Sequence, residues 1–312
     1  MKKIVILDGY TLFNTDLSFE ALKEYGTVEF YERTPSSLTA ERIGDAEIVL
    51  TNKTVIDKTV IDACPDLKLI SVLATGYNVV DCEYARTKGI TVCNVPSYST
   101  PSVVQHTFAL LLELCSRTGD HNTSVQSGEW SKSKDFCYWL NPLTELSGKV
   151  FGIVGYGSIG KSVAKVAEAL GMKVLVNNRT PFPSSVSLEE VLTQSDVVSL
   201  HCPLTDQNKK FINKKTLSMM KPTAFLINTA RGALIEEEDL KNALNDGIIA
   251  GAGLDVLDKE PPTEGNCLIG LKNCIITPHI AWASLDARRR LSAITLRNVS
   301  SFIAGQPINV VN

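Results

Sequence analysis

Apolar and polar positions along the chain form two successive alternating series. In the first, Lys3–Leu7, Val28–Tyr31, Glu47–Leu50, Leu67–Leu73 and Ile90–Cys93 read as short strands. They are nearly continuous in apolar residues, the pattern of strands covered on both faces. Between them Ser18–Tyr25, stopped by Gly26, and the segments Ala40–Ile43 and Asp57–Ala63 have helical texture. The texture changes at Asn94–Pro101, N-V-P-S-Y-S-T-P, where Thr100 can cap a helix that has Pro101 at its first position. Val103, Val104, Phe108, Leu111, Leu112 and Cys115 then share one face of a long helix. The second series begins at Lys149, with strands at Val150–Val154, Lys173–Asn177, Val197–Leu200, Ala224–Asn228, Ile249–Leu254 and Cys274–Thr277. Ser187 and Glu190 form a capping box in it, and an amphipathic helix near Ser284–Ala304 closes the chain. Strands that alternate with helices predict an α/β protein of two doubly wound parallel-sheet domains, Rossmann-like and flavodoxin-like, with a cleft between them. The pattern marks a domain boundary at Asn94–Pro101, and the expected division is 1–99 plus 284–312 for one domain and 100–283 for the other.

Composition narrows the function. Of 312 residues, 44% are hydrophobic and 21% charged, and Lys plus Arg (31) nearly balance Asp plus Glu (34) for a net charge of −3. Such a balance gives no electrostatic reason to expect nucleic acid or an anionic membrane as partner. No apolar run approaches the ~20 residues that cross a bilayer. The apolar stretch after Met1-Lys-Lys is too short for a secretory signal, so the expected location is cytoplasmic. The eight cysteines include no C-x-x-C pair and read as reduced, mostly buried thiols. No metal set is expected: His201 and Cys202 are adjacent and would point to opposite faces of a strand. Arg288-Arg289-Arg290 reads as a solvated helix face.

The most informative local motif is Gly155-Tyr156-Gly157-Ser158-Ile159-Gly160, a G-x-G-x-x-G that follows a predicted strand and opens a predicted helix. In that setting the first glycine permits a tight turn, the second lets backbone approach a pyrophosphate, and the third lets helix and strand pack closely. The unpaired N–H groups of the helix N-terminus face the phosphates. Domain 100–283 is therefore read as dinucleotide-binding, and 1–99 plus 284–312 as substrate-binding. An NAD site usually carries an acidic residue about 20 positions further on. Here position 178, 23 beyond Gly155, is Asn178, followed by Arg179 and Thr180. These residues suit a 2′-phosphate better than a bare ribose. NADP(H) is expected over NAD(H), with dual use open and no metal.

Read together, the segments resemble the D-isomer-specific 2-hydroxyacid dehydrogenases over almost the whole chain. The likeness is carried by L-A-T-G-Y-N-V-V-D (Leu73–Asp81), V-V-Q-H-T-F-A-L-L-L (Val103–Leu112), the glycine loop, H-C-P-L-T (His201–Thr205) and N-T-A-R-G (Asn228–Gly232). G-L-D-V (Gly253–Val256), K-E-P-P (Lys259–Pro262) and T-P-H-I-A-W (Thr277–Trp282) complete it. Ile4–Leu12, Thr51-Asn52-Lys53 and Ile280-Ala281-Trp282-Ala283 look most like the glycerate dehydrogenase (hydroxypyruvate reductase) branch. The resemblance implies a catalytic set of Arg231, Glu260 and His279. The chemistry agrees with it. Arginine offers a planar fork to a carboxylate, histidine exchanges a proton near neutral pH, and a carboxylate beside the histidine favours its charged form and fixes its orientation. The resemblance also implies that Thr75 and Gly76 hold the substrate carboxylate and that Asp255 binds the nicotinamide amide. It places Thr107, Cys202, Pro203, Thr229, Ala230 and Ala281 at the coenzyme, along with His279. Asn52 and Lys53 either face the cleft or form a solvated loop pair. Trp282 either closes the pocket or fills the domain junction. His106, His121 and His201 are expected to be structural, His201 near the coenzyme.

The implied reaction is reversible hydride transfer between nicotinamide and a small 2-keto or 2-hydroxy acid, with hydroxypyruvate/D-glycerate or glyoxylate/glycolate preferred. A nucleotide-sensing, corepressor-like protein on the same fold and a formate- or phosphite-type dehydrogenase are the competing readings. The aromatic-rich stretch Ser127–Leu143 suits a partner subunit, and a homodimer is expected. With Asn312 as its last residue, no appended regulatory domain is expected.

Overall fold

The apolar runs of the first series pair side by side as five parallel strands: β1 (Lys2–Ile6), β2 (Gly26–Phe30), β3 (Ile48–Thr51), β4 (Leu69–Val72) and β5 (Thr91–Cys93), in the order β2-β1-β3-β4-β5. Every residue of β3 and β4 is buried, as the unbroken apolar runs require of strands with helices on both faces. This computed structural model describes residues 2–13 and 16–312. It divides into two units, Met1–Ser99 with Ala283–Asn312, and Thr100–Trp282.

Three local expectations in the first unit are corrected. Ser18–Tyr25 is not an α-helix but a short 3-10 turn, Glu20–Glu24. Gly26 is not a helix stop; it opens β2, where a β-carbon would lie 2.1 Å from the Lys2 carbonyl oxygen. A helix at Cys82–Thr87, capped by the Asp81 carboxylate accepting from the Tyr84 N–H, was not legible because it buries only Ala85. The arginine triplet is also no plain solvated face. Arg288 pairs with Asp16, Arg290 donates to the Tyr98 carbonyl at 2.8 Å, and Arg289 keeps an exposed side chain. Arg288 and Arg290, together with Asn298, which donates to the Asn94 carbonyl, fasten the closing helix Leu285–Ile303 to its unit. The tail then adds an antiparallel bridge between Cys93 and Val310.

The second unit holds six parallel strands: β6 (Val150–Val154), β7 (Lys173–Asn177), β8 (Val197–Leu200), β9 (Phe225–Asn228), β10 (Gly251–Leu254) and β11 (Cys274–Ile276), in the order β11-β10-β9-β8-β6-β7. One apolar layer, with Phe108, Leu111, Phe151 and Val163, and a second, with Leu200, Leu226, Leu240 and Leu254, form its core. After β6 the chain steps outward to β7 and then returns to the other side of β6 as β8. That reversal is the topological switch point, where ligands bind outside the carboxyl ends of strands. Beyond β7 the Val186 N–H donates to the Val176 carbonyl. The stretch Ser127–Leu143, expected as an aromatic loop, follows the helix Thr118–Gln126 and contains the short helix Glu129–Lys132, with Trp130, Phe136, Trp139, Leu140 and Leu143 exposed. Among the described residues no helix is long and apolar enough to cross a membrane, and no cluster of histidine, cysteine or carboxylate side chains is arranged to hold a metal.

Candidate active site and coenzyme cradle

The glycine loop sits at the carboxyl end of β6, on the switch point. Gly155 has φ +99°, in the region that glycine enters freely, and a β-carbon there would meet the Cys202 backbone nitrogen at 2.6 Å. A β-carbon on Gly160 would meet the Gly155 carbonyl oxygen at 2.2 Å, so the helix Ser158–Ala169 can start this close to the strand only with glycine. Around Gly157, by contrast, nothing lies within 4 Å of such an atom. The first helical bond runs from Lys161 N–H to the Gly157 carbonyl, which leaves the N–H groups of the first turn for an anion. An open concave backbone at a helix N-terminus fits a dinucleotide's pyrophosphate.

At the end of β7 the structure refines the role of Asn178. Its Oδ1 accepts the Tyr156 N–H at 3.1 Å and its Nδ2 donates to the Thr180 carbonyl at 2.9 Å. The amide thus ties the glycine loop to the turn that presents Arg179 and Thr180, both exposed. Tyr156 stacks on Phe182 at 5.3 Å, with the Lys161 ammonium 5.9 Å from the Tyr156 ring centre.

Loops after β9, β10 and β11 hold the catalytic candidates. After β9, the Asn228 side chain accepts the Ala230 N–H at 3.0 Å and donates to the Arg231 carbonyl at 2.9 Å, which shapes the turn. Arg231 is exposed, with one guanidinium N–H on the Ala230 carbonyl at 2.7 Å. The next residue, Gly232, lies directly on the Leu257–Asp258 backbone: a β-carbon would fall 1.9 Å from the Leu257 carbonyl carbon. The Arg231 turn and the Glu260 loop are therefore in backbone contact. Glu260 Oε1 accepts the Leu257 N–H at 2.9 Å, and Oε2 is 2.6 Å from His279 Nδ1. With a carboxylate facing it, Nδ1 carries the ring proton, and Nε2 is the nitrogen left for exchange with a substrate.

His279 is held in an unusual backbone state, φ +54°, which costs a non-glycine residue about 1–2 kcal/mol. Asp255 supplies the compensation. Three successive N–H groups close on it: His279 on its carbonyl at 2.8 Å, Ile280 on Oδ1 at 2.9 Å and Ala281 on Oδ2 at 2.8 Å. Among the described residues Asp255 is the one charged side chain in the core, 1% exposed. Burial works against its charge, but the nearby His106 imidazole and hydrogen bonds from Thr277, Ala281 and Ile280 more than offset it and hold the carboxyl below its ordinary range. The carboxylate accepts donors of its own chain and builds the turn that carries His279. Asp255, Glu260, Thr277 and His279 line the polar part of a concavity of about 580 Å³, otherwise walled by apolar side chains such as Pro262 and Ile276.

The other expected positions are distributed as follows. Thr107 is fully buried, its hydroxyl on the Val103 carbonyl and 3.2 Å from that of Thr229, so it links helix to loop. Ser158 and Pro203 are exposed, Ile159, Cys202, Thr229, Ala230 and Trp282 half-buried, and Ala281 buried. In the first unit Thr75 is exposed, its hydroxyl on the Val95 carbonyl, with Gly76 half-buried after it. Asn52 is 8% exposed and its amide donates to the Thr11 hydroxyl. The Asp8 carboxylate, an anchor that the sequence did not reveal, accepts the N–H groups of Asn52, Lys53 and Thr54. All eight cysteines are free thiols, and burial raises Cys93 and Cys115 to about 11. His201 bonds the Ser199 hydroxyl at 2.8 Å, and burial pushes it down to about 4.

That last shift makes a stability prediction. An unfolded histidine takes a proton near pH 6.5, so between pH 6.5 and 4 the unfolded chain binds more protons at this site than the folded one. The associated stability is complete above pH 6.5 and is lost as pH falls toward 4, by up to about 3 kcal/mol. In urea unfolding at pH 7 and 4.5, wild type should lose roughly 2–3 kcal/mol more than His201→Gln, which keeps a donor but does not titrate.

Comparison with known proteins agrees with this architecture. The profile of the D-isomer specific 2-hydroxyacid dehydrogenase, NAD binding domain, matches residues 108–281. A hydroxypyruvate reductase of Blautia hydrogenotrophica is 48% identical, covering 99% of each chain, and a glycerate dehydrogenase of Methylorubrum extorquens is 46% identical, again over 99% of each. Among solved structures, an NADPH-dependent glyoxylate/hydroxypyruvate reductase of Sinorhizobium meliloti superposes with a TM-score of 0.87 at 27% identity, covering 100% of this chain and 98% of its own. The chain belongs to the D-isomer specific 2-hydroxyacid dehydrogenase family. It is an oxidoreductase acting on a CH–OH group, with a nicotinamide-binding domain.

Proposed function

We propose that this enzyme interconverts a small 2-keto acid and its D-2-hydroxy acid, with hydroxypyruvate/D-glycerate or glyoxylate/glycolate as the pair and NADP(H) as the favoured coenzyme. The observation that carries the proposal is the 2.6 Å contact between Glu260 and His279 Nδ1, which leaves Nε2 to give a proton to a ketone oxygen and take it back in reverse. The reduced nicotinamide, when bound, supplies the hydride. His279 is the acid and base, Glu260 fixes its ring, and Arg231 offers the rest of its fork to the substrate carboxylate and polarises the adjoining carbonyl. By resemblance Thr75 and Gly76 also anchor that carboxylate, and Asn52, Lys53 and Trp282 border the substrate. Residues 1–99 with 284–312 act as the substrate domain and 100–283 as the coenzyme domain. Gly155 to Gly160 would hold the pyrophosphate, Arg179 and Thr180 the adenosine end, and Cys202, Pro203, Thr229, Ala230 and Ala281 the remainder. We further infer a cytoplasmic homodimer that requires no metal; the exposed aromatic residues between Trp130 and Leu143 support a partner surface.

A steady-state comparison of NADPH with NADH across a keto-acid panel tests the reading. The expected result is turnover with hydroxypyruvate or glyoxylate and a lower KM for NADPH. No oxidation of either coenzyme with any 2-keto acid would overturn it. Arg179→Ala should raise the KM for NADPH by about tenfold or more, the weight of one charge-assisted phosphate contact, and leave that for NADH nearly unchanged.

A further inference from the structure

The segment that carries His279 is held from beneath by the helix Thr100–Ser116, at two points flanking the histidine. Ser102 donates its hydroxyl to the Ala281 carbonyl at 2.6 Å. His106, four residues on and so on the same helix face, places Nε2 2.8 Å from the Thr277 hydroxyl oxygen. That hydroxyl lies 2.6 Å from Asp255 Oδ1, and His106 Nε2 itself is 3.4 Å from the same oxygen.

The proton count settles the directions. The Thr277 hydroxyl has one proton, and its shorter bond is to the buried, ionised Asp255. Its oxygen must then accept, and the donor is His106 Nε2–H. His106 therefore orients the Thr277 hydroxyl toward Asp255, and Asp255 in turn gathers the N–H groups of residues 279, 280 and 281. A left-handed backbone at His279 persists only if its surroundings over-determine it, and this chain of bonds does so.

We propose that His106, assisted by Ser102, is a positioning residue for His279: it touches neither substrate nor coenzyme and sets the catalytic imidazole through Thr277 and Asp255. The proposal rests on the assignment of His279 as proton donor, and its test has an arm that does not depend on that assignment.

In coenzyme-free protein, His106→Leu should speed amide hydrogen exchange of Ile280 and Ala281 by at least about tenfold, with exchange in the helix Ser158–Ala169 unchanged. In turnover, His106→Leu should lower kcat about 10- to 100-fold, the usual loss when a catalytic group's supporting bond is removed, while the Kd for NADPH moves less than about threefold. His106→Gln, whose side-chain N–H can donate where Nε2–H does, should restore most of both properties. Ser102→Ala, a milder change that keeps the fold in any event, should give a smaller loss of the same kind. Unchanged exchange at residues 280 and 281, or a glutamine variant as impaired as the leucine one, would overturn the proposal. Faster exchange in His106→Leu, alongside a wild type that turns over no keto acid, would instead sustain the clamp and overturn the functional reading.

Discussion

Replacing His279 with alanine is expected to lower kcat for keto-acid reduction by about 10³-fold, within the range for loss of a positioned general acid. Coenzyme affinity should stay within a few-fold of wild type. The separation follows from the geometry. His279 meets its surroundings through Nδ1, on Glu260, and through its backbone N–H, on Asp255 and Thr277. Alanine keeps the backbone bonds, so the turn stays tied to Asp255, while the imidazole that exchanges the proton is gone. The pyrophosphate cradle is built from a different loop, Gly155 to Gly160. A fluorescence titration with NADPH, run beside steady-state rates, separates the two effects. Wild-type turnover in this variant would remove His279 from the chemistry.

Gly232→Ala is expected to be nearly as damaging, although residue 232 would touch no reactant. Its new β-carbon would stand 1.9 Å from the Leu257 carbonyl carbon and 2.3 Å from the Asp258 nitrogen. Both are main-chain atoms, so no side chain can rotate away, and one loop must move off the other. Arg231 precedes the glycine and Glu260 follows the displaced segment, so the guanidinium and the Glu260–His279 pair would lose their common frame. Misplacement of about 1 Å costs on the order of 10²-fold in rate, and kcat/KM should fall by about that factor. Forced overpacking also costs about 1–3 kcal/mol, readable as a lower urea midpoint. A variant with wild-type kcat/KM and midpoint would show that the two loops are not coupled through this contact.

Much of this was legible in the chain, for identifiable reasons. The strands of the second unit were read almost to the residue because continuous apolar runs flanked by turn signals have no other use in an α/β protein. The glycine loop was legible because two of its three glycines answer to backbone atoms of neighbouring segments. Less legible were elements whose cause is not periodic. The 3-10 turn Glu20–Glu24 has helical composition but buries only Leu22. The helix Cys82–Thr87 depends on one capping carboxylate. Residues that act through others were the least visible. Asp8 gathers three N–H groups more than 40 positions away, and Asp255 organises a turn more than 20 positions later. No local pattern encodes such pairings. Asn178 shows the same limit: its absence of charge was readable, but its bonds to Tyr156 and Thr180 were not.

The central claim, hydride delivery to a 2-keto carbon with proton delivery by His279, is tested most directly by isotope transfer. With NADPH dideuterated at C4 and hydroxypyruvate, the product should be D-glycerate carrying deuterium at C2, one equivalent for each coenzyme oxidised, and His279→Ala should form it about 10³-fold more slowly. Coenzyme oxidation without label at C2, or label delivered by His279→Ala at the wild-type rate, would contradict the account.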